Sequence, residues 1–212
     1  MATTKVALYN GALMLIGDSL LSTATDNTDS RYKLDAVYDN GAVDYCLGLA
    51  SWNFALRVAQ LDSSFPLAPA FGWQYGFSMP TDHIRTVSMT SDEDMNCPVD
   101  RFDRRGANIY SDTDPMFIEY VSNGANYGGS LSLWTPEFIK VFNHYLAMEV
   151  CLPITGSVEK KNNLLKYFQH YLSEAQTKNN FEKPVKFPVP GKFVQSRRSR
   201  QGRNTPWVAI PS

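Results

Sequence analysis

The sequence predicts an α+β protein: a helical bundle built from N- and C-terminal helix pairs, an inserted antiparallel β region, and an extended C-terminal arm. Three patterns lead there. Apolar residues recur every three or four positions up to Trp52 and again after Trp134, the period of a helix with one buried face. Between those limits apolar and polar residues alternate in short runs broken by Gly, Pro and Asp, the period of half-buried strands. From Lys183 onward acidic residues vanish while prolines recur. The expected division is 1–52 with 134–182 for the bundle, 53–133 for the β insert and 183–212 for the arm.

Residues 4 to 16 place Val6, Leu8, Ala12, Leu13 and Ile16 on one face between a Thr start signal and Gly17, a short helix with a glycine stop. The polar run Ser22 to Ser30 is a loop whose end supplies Thr28, Asp29 and Ser30 as capping candidates. Leu34, Val37, Tyr38, Ala42, Tyr45, Cys46 and Leu49 then predict one long second helix stopping near Trp52.

After Trp52 the period changes. Phe54, Leu56 and Val58 alternate as a strand would, and a Pro-rich loop follows from Asp62 to Phe71. Trp73, Tyr75 and Phe77 alternate before Pro80. Ile84 to Met89, Asn108 to Tyr110 and Met116 to Val121 complete the expected strands. Ser91 to Asp100 is acidic and polar, an exposed connection between strands.

Helical signals return at Trp134-Thr135-Pro136-Glu137. Thr135 suits a cap, Pro136 the first helical position and Glu137 the positive helix end. Phe138, Val141, Phe142, Tyr145, Leu146 and Glu149 ride this helix, which Leu152-Pro153 should end. Ser157 should start another, with Leu164, Leu165, Phe168, Tyr171, Leu172 and Ala175 inward. The simplest packing sets the insert projecting from one end of the bundle.

Composition narrows the function classes. With 212 residues, 43% hydrophobic and 13% aromatic, the chain buries a real core and is no disordered polymer. Charged residues make up only 19%, which suits a subunit that buries surface against neighbours. No run approaches the eighteen or so apolar residues of a membrane span, and no cleavage site follows Met1 to Lys5, so a soluble intracellular product is expected. Cys46, Cys97 and Cys151 are too few and too scattered for a disulfide framework or a metal knuckle.

Signals for chemistry are sparse. His83, His144 and His170 lie in three different elements, so no metal motif forms, and the two helical histidines read as structural. Pro80-Thr81-Asp82-His83 sets Asp82 beside His83 near Ser78 and Ser88, but adjacent residues rarely converge as a triad, and a turn is the stronger assignment. Asp92, Glu93 and Asp94 lack calcium-loop spacing and read as a solvated loop. Gly128-Gly129 lacks the lysine of a phosphate cradle and reads as loop flexibility. Trp52, Phe54, Trp73, Tyr75 and Phe77 could stack on nucleic acid, but their placement favours core. No catalytic residue, cofactor site or metal site is expected.

The arm is the exception. Lys183, Lys186, Lys192, Arg197, Arg198, Arg200 and Arg203 give it seven positive charges, so residues 1–182, with 13 basic and 21 acidic residues, carry −8. Pro184, Pro188, Pro190, Pro206 and Pro211 forbid a long helix. Thr205-Pro206-Trp207-Val208-Ala209-Ile210 is an apolar cluster at the end of the charged stretch, the layout of an anchor that inserts into a groove. The same charges could instead serve a small nucleic-acid-binding module.

The order of several segments resembles the short-tailed phage head-to-tail adaptors, the tail tubular protein A family. They are Ala7 through Ile16-Gly17-Asp18, Ser51-Trp52-Asn53-Phe54-Ala55, and Tyr75 through Met79-Pro80-Thr81-Asp82 before Ile84-Arg85-Thr86-Val87. Ile109-Tyr110-Ser111-Asp112, Ile118-Glu119-Tyr120-Val121, Trp134-Thr135-Pro136-Glu137-Phe138, Leu146-Ala147 and Leu152-Pro153-Ile154-Thr155 follow, and the match ends near Ala175. It spans roughly residues 5 to 180, with Met79 where Leu is expected, and the basic arm lies outside it.

The resemblance implies a structural protein of the virion tail, made in the host cytoplasm, that forms a homo-oligomeric ring of about twelve subunits. Such a ring joins the portal protein to the tail nozzle protein, contacts no membrane, and lets DNA pass its channel without sequence-specific binding. On that footing the expected docking arm, toward portal or neighbour, comprises Lys192, Phe193, Arg197, Arg198, Arg200, Arg203, Trp207 and Ile210.

Overall fold

Helix α1, Lys5–Ile16, starts and stops as its sequence dictates. Thr4 accepts a hydrogen bond from the Ala7 N–H, and Gly17 closes the helix at φ +84°, a left-handed turn that costs glycine little. A computed structural model of the chain describes residues 4–61 and 72–182. The Pro-rich loop 62–71 and the arm 183–212, with all eight expected docking residues, lie outside the described residues.

The fold is mixed α+β. Among the described residues, five α-helices flank two three-stranded antiparallel sheets. The expected long second helix is instead two: α2, Asp29–Val37, capped by Thr28, and α3, Val43–Gly48. Between them Asn40 and Gly41 leave helical geometry, Gly41 at φ +86°. The apolar spacing runs through this break, which is why periodicity alone missed it. Tyr45, expected inward, is exposed and stacks on Tyr145 at 4.9 Å.

A single turn at Asn53–Ala55 leads into β1, Leu56–Leu61, so Phe54 precedes the strand expected to contain it. β2 is Tyr75–Ser78, leaving Trp73 outside the strand, and β3 is His83–Thr90. β4, Phe102–Arg105, was not foreseen; its only large apolar residue, Phe102, is exposed, so it carries no alternating core pattern. β5, Asn108–Ser111, and β6, Met116–Ser122, complete the strands. The sheets have the orders β1-β6-β3 and β2-β5-β4. β6 is central and buried along both faces, whereas Val58 on the β1 edge is exposed.

Helix α4, Pro136–Thr155, is capped by Thr135 and runs past Pro153 to Gly156. Pro153 was expected to end it. Placed three positions from the end, its missing N–H costs the helix a single bond. Helix α5, Val158–Phe181, starts on the Ser157 cap and buries Leu164, Phe168 and Ala175, while Leu165, expected inward, is exposed.

Helix α4 packs against α1, α2, α3 and α5. Gly11 on α1 makes the first approach possible: a Cβ there would lie 2.3 Å from the Asn143 side chain. Edge-to-face aromatics thread the core, with Trp52–Phe138 at 5.0 Å, Trp134–Phe138 at 4.8 Å and Tyr38–Phe142 at 6.0 Å. The helical core also receives Val121, Leu56, Ile84 and Val87 from the sheet β1-β6-β3. A second cluster, containing Leu61, Phe77, Met89, Ile109, Met116, Ile118 and Tyr120, lies within the β region.

Candidate functional site

The turn between β2 and β3 brings Asp82 and His83 to the sheet β1-β6-β3, and the His83 N–H closes it on the Pro80 carbonyl. The Asp82 carboxylate takes hydrogen bonds from Arg57 on β1 at 2.8 Å, from the Tyr120 hydroxyl on β6 at 2.9 Å, and from the Ser122 hydroxyl. Its backbone carbonyl accepts the Asn123 N–H at 3.1 Å. Burial alone would raise the Asp82 pKa, but these donors outweigh it and hold the carboxyl below its ordinary value. The same carboxylate raises the Tyr120 hydroxyl, already pushed up by burial, to about 12.

Asp82 thereby fastens the loop that leaves β6. Gly124 donates its N–H to the Ser122 hydroxyl at 3.0 Å, Gly128 to the Ser122 carbonyl at 3.1 Å, and the Trp134 indole to the Gly128 carbonyl at 2.8 Å. Gly128 and Gly129, expected to supply flexibility, supply close approach instead. A Cβ on Gly128 would meet the Ser122 carbonyl at 2.6 Å, and one on Gly129 the Asn123 carbonyl at 2.2 Å.

This geometry does not assemble an Asp-His-Ser relay. His83 Nε2 lies 2.9 Å from the Thr86 hydroxyl, and its ring faces Tyr120 at 5.5 Å. Burial lowers the His83 pKa, and the nearby Arg104 charge lowers it further. The Ser88 hydroxyl donates to Glu119 and Ser122 donates to Asp82. Ser78 is exposed at the end of β2. What the arrangement does chemically is clamp: one anion, two sheet strands, one loop.

The other expected candidates also have structural partners. His144 is buried, with Nδ1 2.7 Å from the Lys140 carbonyl, and burial lowers its pKa. His170 sits 5.3 Å from Tyr171. The Asp92 carboxylate accepts the Asn96 and Cys97 N–H groups, turning the acidic loop on itself. Cys46 and Cys151 are buried thiols, Cys97 an exposed one; burial pushes the Cys46 pKa up. Among the described residues, no three His, Cys, Asp or Glu side chains gather as a metal site, and no helix is long and apolar enough to cross a membrane. Trp52 and Phe77 are core residues, and Trp73 stacks under Arg101 at 4.9 Å.

Two polar joints escaped the sequence reading. Asp35 on α2 collects Lys5 at 2.9 Å, Arg31 at 2.7 Å and the Tyr9 hydroxyl at 2.7 Å. Asn179 near the end of α5 bonds to Asn53 and to the Ser51 carbonyl, while Arg85 reaches the Gly48 carbonyl and the Ser51 hydroxyl. The Lys5/Asp35 joint spans separate helices and carries no local motif. In the second, Asn53 and Asn179 are 126 positions apart, so no local motif marks it either.

A surface feature remains. Met14 and Tyr167 are 69% and 55% exposed, and with Leu15, Ile16, Asn163 and Leu164 they line a hollow of about 280 Å³ between α1 and α5. That is side-chain-sized, below the usual volume of a small-molecule site.

No protein-family model matches the chain, and no curated protein matches it.

Proposed function

We propose that this chain is a structural, non-enzymatic protein of the virion tail, the subunit of a head-to-tail adaptor ring that joins the portal protein to the tail nozzle protein. In this reading the N- and C-terminal helix pairs form a bundle that builds the ring wall. The β insert, residues 53–133, projects toward the nozzle, and the arm, residues 183–212, docks on the portal through Trp207 and Ile210. DNA passes through the channel, where the −8 charge of residues 1–182 favours sliding over sticking by repelling phosphate.

The observation that carries this reading is where the resembling segments fall. Gly17 ends α1, Trp52 and Asn53 join α3 to β1, Asp82 and Tyr120 form the clamp, and Trp134 to Phe138 lead into α4. These residues build joints, as a scaffold protein needs. Exposed large apolar side chains on several elements add support: Met14, Tyr45, Val58, Val158 and Tyr167 suit a subunit with more than one neighbour.

Mixing the purified protein with the portal ring of the same virus tests the reading. Saturable binding of about twelve copies supports it. Failure to bind the portal, with salt-sensitive binding to duplex DNA that is lost when Arg197, Arg198, Arg200 and Arg203 are replaced, would favour the nucleic-acid module instead.

A further inference from the structure

We propose that the hollow between α1 and α5 is the seat of the Trp207–Ile210 segment of the same chain. The inference concerns the isolated protein and stands apart from the connector reading. That reading would add only that the segment leaves this seat when it docks elsewhere.

Among the described residues nothing covers the hollow. Helix α1 reads KVALYNGALMLI, apolar on nearly all sides, and its inner face, Leu8, Ala12, Leu13 and Ile16, is spent on the core. Met14 and Leu15 point outward, toward the exposed Tyr167 of α5. A helix apolar all round is ordinarily enclosed on all sides. The one charged group in the lining is Lys160, and the segment Thr205 to Ile210 carries no charge to oppose it. The match is therefore apolar to apolar.

Length and charge favour this occupant over a second copy. Trp207 stands twenty-five residues past Glu182, where the structure leaves α5. Twenty-five residues can span at most about 80 Å. Tyr167 lies fourteen residues back along α5 from Phe181, about 21 Å at helical rise. The span is therefore within reach, and a segment of the same chain acts at an effective concentration that dilution does not lower. A second copy at micromolar concentration competes poorly with that. The +7 arm is also drawn to the −8 remainder of its own chain.

The test is methyl NMR of the full-length protein labelled at methionine, with Trp207→Ala and Ile210→Glu as variants. Both changes lie in the arm, so folding of residues 4–182 is not at stake. The expected result is a Met14 methyl signal displaced by the indole ring in the wild type. It should move to the position of an exposed methionine in both variants and stay unchanged when the sample is diluted. A Met14 signal identical in wild type and Trp207→Ala overturns the proposal. So does a displacement that disappears on dilution, which would assign the hollow to a second copy. No portal is present, so either outcome leaves the connector reading to its own experiment.

Discussion

Asn53 and Asn179 hold each other across 126 residues of sequence. The Asn53 N–H donates to the Asn179 side-chain oxygen at 2.8 Å, and the Asn53 amide donates to the Asn179 carbonyl at 2.7 Å. The Asn179 amide completes the joint by donating to the Ser51 carbonyl at 2.9 Å. The end of α5 is thereby tied to the bend between α3 and β1, where the helical part of the chain passes into the β region.

Asn179→Ala removes two of these three bonds, those made by the Asn179 side chain, and leaves the partly buried Asn53 N–H and Ser51 carbonyl without those partners. The expected cost is about 1–3 kcal/mol, read as a melting temperature lower by roughly 2–4 °C for each kcal/mol. Hydrogen exchange should quicken first in the last turn of α5. An unchanged melting curve would mean that the joint contributes nothing net.

Acid should weaken the Asp82 clamp. The Asp82 pKa is lowered in the folded protein, so its contribution is complete above the unfolded value near 4 and is lost as pH falls through the folded value. Asp35, where burial raises the pKa and the Lys5 and Tyr9 bonds more than reverse it, has the same sign. Chemical denaturation from pH 6 to pH 2 should show stability falling below about pH 4. Asp82→Asn should be less stable at pH 7 and show a shallower fall. An equal slope in the variant would contradict the clamp.

The glycines of the β6 loop should separate sharply from Gly48. Gly128→Ala and Gly129→Ala drive a methyl group against backbone carbonyls at 2.6 Å and 2.2 Å, so each should cost about 1–3 kcal/mol or more. At Gly48 the new methyl would meet Ile84 at an ordinary 3.7 Å, and alanine is the better helix former by up to ~1 kcal/mol. Denaturant midpoints for the three variants check the order.

Residues 191–212 should be dispensable for folding and required for docking. A chain truncated at residue 190 should melt within about 1 °C of a full chain whose arm carries Trp207→Ala, because neither seats the anchor. It should also lose portal binding. Truncated protein that still binds the portal would remove the arm from the interface.

The sequence disclosed those features whose cause is local. Thr4, Thr28, Thr135 and Ser157 are all caps, and Gly17 is the stop that α1 required. Alternation revealed β6 through Met116, Ile118 and Tyr120, which pack in the β-region core at every second position, although Phe117 and Val121 between them are buried too. Features set by distant partners stayed hidden. β4 presents polar residues to solvent and takes its conformation from pairing with β5. The break at Gly41 depends on one left-handed residue inside a continuous apolar stripe. Asp82 was visible as a turn residue, but its partners Arg57, Tyr120 and Ser122 are 25, 38 and 40 positions away.

Native mass spectrometry, of the protein alone and mixed with the portal ring of the virus proposed to encode it, tests the proposed adaptor role most directly. A discrete complex of the portal ring with about twelve added subunits is the expected result. A chain that leaves the portal ring unshifted in mass at saturating concentration would contradict that role.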